Sequence, residues 1–135
     1  MSRSPEPILP SGWPRGSGYA HGVAASGRVV CIAGQIGWDP ITQRLVGDDF
    51  ADQAAQALAN VAAVLRTAGA WPEHLVRMTW YVTDRTAYIA ARRATGQAYR
   101  QLFGAYFPAM SVVIVSALVE PGALVEIEAT AVIPE

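Results

Sequence analysis

At 135 residues the chain is the length of one domain, and with 52% hydrophobic and only 16% charged residues it holds enough apolar material for a full core. A net charge of −1 leaves no electrostatic footprint for nucleic acid or a membrane surface, and no run of 18 or more apolar residues could cross a bilayer as a helix. The single cysteine excludes an internal disulfide, and with no apolar signal segment near Met1 the expected location is cytoplasmic.

Residues 1–18 carry four prolines and three glycines with little hydrophobic pattern, and read as an N-terminal arm ahead of a single domain over 19–135. Tyr19 to Ala24 and Arg28 to Ile36 read as two short strands joined around Ser26-Gly27 as a hairpin. Cys31, inside Val29-Val30-Cys31-Ile32-Ala33, is expected to be buried. Gly37 to Gly47 forms a loop. A helix should begin near Asp48 or Asp49, where acidic side chains suit the N-cap and the positive end of the helix dipole. Phe50, Ala54, Ala57, Leu58, Val61 and Leu65 then recur at helical spacing as a core stripe, and Gly69 ends the run. His74 follows Trp71-Pro72-Glu73 and reads as a surface residue.

Arg77 to Val82 alternates Met78, Trp80 and Val82 with Arg77, Thr79 and Tyr81, which predicts a strand. A second helix over Thr86 to Phe103 places Tyr88, Ala91, Thr95, Ala98, Tyr99 and Leu102 on one face before Gly104. Pro108 frees an extended run to start, and Ser111 to Val119, with no polar face from Val112 to Val115, reads as a central strand buried on both sides. After a Glu120-Pro121-Gly122 turn, Val125 to Val132 returns as its partner, with Val125, Ile127, Ala129 and Ala131 on one face and Glu126, Glu128 and Thr130 on the other. Two strands, helix, strand, helix, two strands predict an α+β sandwich, a mixed sheet with two helices on one face. The strands at 29–33 and 112–115 are apolar on both faces, so the uncovered face is expected to meet other subunits.

Pro108-Ala109-Met110-Ser111, the strand after it and Leu124-Val125-Glu126-Ile127-Glu128-Ala129 together resemble the C-terminal signature of the reactive intermediate deaminase family, RidA or YjgF. Ala33-Gly34-Gln35-Ile36, Asn60 to Gly69 and Arg77 to Asp84 are similar to further elements in the same order, so the resemblance runs from about Tyr19 to Val132. It implies a chorismate-mutase-like fold and a homotrimer with small-molecule clefts between subunits. It also implies hydrolysis of an imine or enamine to a carbonyl compound and ammonia, with no cofactor.

Periodicity alone makes Glu126 a solvated carboxylate; the resemblance instead gives it the catalytic role of positioning the attacking water. Glu128 shares its face and reads as structural. The resemblance puts Tyr19 in the cleft, the Gly34 backbone against the ligand and main-chain groups of Val112 in the site. His21 lies two residues from Tyr19 and so on the same side, where a lone histidine is more often a satisfied polar group than a catalyst; Tyr19, His21 and Glu126 are candidates to converge in one pocket. Met110 stands where deaminating members carry the arginine that holds a substrate carboxylate, and Gly96 where many carry an asparagine. A thioether offers nothing to a carboxylate, so the expected substrate is larger and less charged than the small 2-imino acids, and a non-catalytic ligand-binding trimer is the alternative. His21, His74 and Cys31 include no close pair for a metal. Cys31 in an apolar strand is a poor nucleophile, and Gly16-Ser17-Gly18 precedes a strand, unlike a phosphate loop.

Overall fold

The computed structural model describes residues 4–135. In chain order its elements are β1 (Glu6–Ile8), β2 (Gly22–Ala24), β3 (Arg28–Ile36), β4 (Trp38–Asp39), β5 (Arg44–Leu45), α1 (Phe50–Thr67), β6 (Leu75–Val82), α2 (Arg85–Ala90), α3 (Arg92–Phe103), β7 (Ala109–Ile114) and β8 (Val125–Ile133), with a single 3-10 turn at Pro72–His74. The main sheet runs β3-β8-β6-β7; β8 is antiparallel to both neighbours, and β6 and β7 are parallel. The fold is α+β, a mixed sheet with its helices on one side.

The core follows from two periodicities. On β8, Val125, Ile127, Ala129 and Ala131 are buried, and on β6 so are Met78, Trp80 and Val82. Against them α1 lays its stripe of Phe50, Ala54, Ala57, Leu58, Val61 and Leu65, all buried, and packs on β3, β8 and α3. Asp49 caps α1 by accepting from the Asp52 N–H at 3.0 Å, and the helix closes into Gly69, whose φ of 81° is the left-handed turn a glycine allows. The second helical stretch is two helices. Asp84 caps α2 by accepting from the Ala87 N–H at 3.1 Å, and the chain leaves helical geometry at Ala91 before α3.

Four expectations are corrected. β2 pairs with β1 and not with β3, because Gly27 (φ 146°) sits so close to the Ile133 carbonyl that a side chain there would overlap it; the turn delivers β3 to the end of β8. The stretch read as a central strand is the edge strand β7, since β6-α2-α3-β7 is a crossover that sets β7 beside β6, and β6 separates β7 from β8. The strand ends at Ile114, which is 56% exposed, and Val119 is fully exposed. Cys31 is exposed, because Val30 and Ile32 on either side of it turn toward the helices and only one face of β3 is covered. His74 is buried, its Nδ1 accepting the Trp71 N–H at 2.9 Å to close the 3-10 turn.

Candidate functional site

Glu126 is the second residue of β8, between two fully buried neighbours, Val125 and Ile127, and so projects from the sheet face away from the helices, half-buried. The strand beside it is shaped to receive it. The β3/β8 register shifts between Ile32 and Gln35, so that Ala33 and Gly34 bulge, and a Cβ built on Gly34 would overlap the Glu126 carboxylate. Only glycine lets the carboxylate lie against the backbone of the bulge. The segment after it is fixed by α1: the Asn60 Nδ2–H donates to the carbonyls of Ile36 (3.3 Å) and Trp38 (2.9 Å), and Gly37 packs directly on the Gln53 backbone.

Two further groups share this face. Tyr81 on β6 lies opposite Glu126 in register and donates its hydroxyl to Glu128. That bond, with the negative charges of Glu128 and Glu126, pushes the Tyr81 hydroxyl above the ordinary tyrosine range. The two carboxylates of β8 are thereby differentiated. Glu128 is committed to Tyr81, while Glu126 lies against Gly34 and is half-buried. Tyr81 was on the right face in the sequence pattern but was not singled out, because alternation gives a face and no register; its position across from Glu126 depends on how β6 pairs with β8.

The other candidates gather at the β7 edge. Tyr19 and His21 are edge-to-face at 5.3 Å, Trp13 meets the far side of His21 at 5.1 Å, and the His21 Nε2–H donates to the Pro14 carbonyl at 3.2 Å. His21 thus ties down the lead-in segment, and with Tyr19 it lines a pocket closed by Ile8, Leu9 and Phe107. Met110 and Val112 turn their side chains toward the helix-side core. Their main chains do something else. The Val115 N–H bonds the Val82 carbonyl at 2.8 Å on the β6 side, and the Pro108 carbonyl accepts from Ala20 at 3.0 Å on the outer side. Peptide groups alternate sides along a strand, so the N–H and C=O of Val112 point outward from the sheet edge.

Within one chain these two groups stay apart. Glu126 and Gly34 occupy the open face near β3, whereas Met110 and Val112 are two strand spacings away, roughly 10 Å, with side chains on the opposite face. Tyr19 and His21 share a pocket in which Glu126 takes no part.

The profile of the family described as Endoribonuclease L-PSP matches residues 14–133. The 2-iminobutanoate/2-iminopropanoate deaminase of Homo sapiens is 35% identical over 105 residues, spanning 78% of this chain and 73% of that protein. RutC family protein slr0709 of Synechocystis is 34% identical over 98% of this chain and 93% of its own length. Among solved structures, YyfB of Yersinia pestis, from the conserved Rid protein family, superimposes with a TM-score of 0.86 at 38% identity, covering 97% of this chain and all of that one. The chain belongs to the Rid family. The Escherichia coli YjgF gene product gives a TM-score of 0.69 at 34% identity, over 94% of this chain and 98% of that one.

Two positions singled out in the sequence of this Rid chain lie together. Met110 and Gly96, which replace the arginine and asparagine expected from the resemblance, line one pocket between α3 and the sheet.

Proposed function

We propose that the chain is a cofactor-independent hydrolase that converts an imine or enamine to a carbonyl compound and ammonia. It acts as a homotrimer whose clefts join the Glu126–Gly34 half of one copy to the Tyr19–Met110–Val112 half of the next. The observation that carries this reading is the Glu126 carboxylate, held against the Gly34 backbone on the face away from the core while its neighbour Glu128 is occupied by Tyr81. A carboxylate so placed orients a water, takes one of its protons as the oxygen adds to the C=N carbon and passes it to the nitrogen; the proton of the new hydroxyl then follows through the same carboxylate to the nitrogen as the C–N bond breaks, and ammonia and a C=O group leave. The outward N–H of Val112 and the bulge at Gly34 supply main-chain hydrogen bonds to that water or to the polarising group. The deaminase named among the relatives supports the reaction class. RNA cleavage, the activity in the family's description, is disfavoured by a net charge of −1.

Met110 sets the substrate apart from 2-iminopropanoate and 2-iminobutanoate, since it has no donor for a small acid held close to Glu126. The second reading, a ligand-binding trimer without chemistry, draws on the same two replacements, Met110 and Gly96. Ammonia release from a panel of imines, each generated in situ by an amino acid oxidase, separates the two. The native chain should act weakly on 2-iminopropanoate and well on a bulkier imine; Met110→Arg should raise the former roughly tenfold to a hundredfold. Glu126→Gln should abolish release at an unchanged melting temperature. Release that persists in Glu126→Gln removes that residue from the chemistry, and no release from any imine leaves the binding module.

A further inference from the structure

A pocket of about 200 Å3 lies between α3 and the sheet, lined by Trp80 from β6, Met110 from β7, and Arg92, Gly96, Tyr99 and Arg100 from α3. Arg92, Gly96 and Arg100 are spaced four residues apart and so share one helix face. A Cβ built on Gly96 would lie 3.6 Å from Nη1 of Arg100, which places the Arg100 guanidinium back along the helix over the bare glycine, toward Arg92. Arg92 and Arg100 both line this one concavity, and no acidic side chain lines it. Like charges at this spacing repel, and an anion between them relieves the repulsion.

A separate observation points to the same place. Trp80, 5% exposed, has the one buried side-chain nitrogen or oxygen among the described residues that lacks a hydrogen-bond partner, its indole Nε1. Buried donors are almost always satisfied, so an orphan N–H on a residue lining a pocket marks where an acceptor belongs. The rest of the lining mixes Tyr88, Tyr99, Phe107 and Met110 with Ser17, Gly18 and Thr95. The volume corresponds to roughly six or seven waters at about 30 Å3 each, enough for a small organic acid and too little for a nucleotide.

We propose that this pocket binds a small organic carboxylate with a bulky apolar body. Arg92 and Arg100 hold the carboxylate with their planar forks of donors, the Trp80 indole N–H adds a third donor, and the apolar part packs on Tyr99 and Met110. Binding stands by itself; that the acid is a substrate rests on the imine-hydrolase reading above. In that case the substrate is a 2-imino acid with a large apolar side chain, and the anchor absent from the strand at Met110 has moved to the facing helix. The sequence-based expectation of a less charged substrate is then replaced by that of a larger one that keeps its charge.

Titration calorimetry on the full chain with 3-phenylpropanoate and its uncharged amide tests this. The acid should bind at least tenfold more tightly than the amide, and weaken as sodium chloride is raised. Arg92→Gln and Arg100→Gln, both at solvent-exposed positions and so compatible with folding, should each lower affinity about tenfold to a hundredfold. Trp80→Phe should lower it severalfold, and Arg85→Gln, on α2 outside the pocket, should leave it unchanged. Equal binding of acid and amide, no binding of the acid, or native affinity in both pocket arginine variants overturns the proposal. Glu126→Gln should retain acid binding. Tight, arginine-dependent binding with no ammonia released from any imine ends the enzyme reading and keeps this one; imine hydrolysis that is indifferent to Arg92 and Arg100 keeps the enzyme reading and overturns the assignment of the acid as its substrate.

Discussion

The position of the Glu126 carboxylate is set by what its neighbour lacks. Gly34 carries no side chain, the β3 bulge turns its backbone toward β8, and the carboxylate fills the space a Cβ would take. Gly34→Ala should therefore displace Glu126 and lower ammonia release at least tenfold, while the thermal melt moves only slightly because the residue is exposed. An alanine variant with native turnover would mean that the placement of Glu126 is not what the reaction needs. The tyrosines supply a pH test. Burial pushes the Tyr99 hydroxyl, which donates to the Tyr106 carbonyl, well above the ordinary tyrosine range, and the bond to Glu128 raises Tyr81. In the unfolded chain both ionise near pH 10, so above that the unfolded state binds fewer protons than the folded one and stability falls as pH rises toward the folded values. Urea unfolding at pH 8 and pH 10.5 should show the drop, and Tyr99→Phe should reduce its slope. A stability flat across that interval would contradict both assignments.

At the scale of elements, α1 does more than cover the sheet. Its buried Gln53 donates to the carbonyls of Gly47 (2.7 Å) and Gly122 (3.0 Å) and accepts the Leu124 N–H at 2.8 Å, so one side chain ties the loop before the helix to the loop before β8. Gln53→Leu keeps the volume and strands three backbone groups, and should cost about 2 to 3 kcal/mol in urea unfolding with an unchanged denaturant slope. A loss below about 0.5 kcal/mol would mean that water replaces the amide. The elements also show what the sequence could convey. The stripe of α1 and the alternation of β8 were legible because each is a local period read against a single covering layer. The edge position of β7, the pairing of β2 with β1 and the exposure of Cys31 were not, since each depends on which strand lies alongside, and apolar side chains do not name their neighbour. His74 was misread for a related reason: its partner is the backbone of Trp71 three residues earlier, a contact made only once the turn has closed. In the candidate site, the face of Glu126 could be read from alternation, whereas the Tyr81–Glu128 bond and the Arg100 side chain over Gly96 required the register of the sheet and the packing of α3.

At the scale of the molecule, a single chain holds the candidate groups in two separate halves. One face of the sheet is left open at Val29, Cys31, Ala33 and Val113, all exposed, and β7 presents an unpaired outer edge beyond Ala109. Open apolar strand faces and free strand edges are usually covered in a soluble protein, and a cyclic arrangement of identical copies would bring the Glu126 half of each against the β7 half of the next. Light scattering at micromolar concentration should then give close to three times the chain mass of 14.4 kDa. A mixing experiment asks more, because it tests whether the halves come from different copies. Glu126→Gln disables one half, and Met110→Trp, which fills the pocket beside α3, disables the other. Each alone should be inactive on the imine that the native chain prefers. Unfolded together in equal amounts and refolded, the chains assort at random, and about one site in four receives an intact Glu126 from one copy and an intact Met110 from its neighbour. Activity should return to about a quarter of the native level. If each site were built within a single chain, every site in the mixture would carry one defect or the other, and no activity would return.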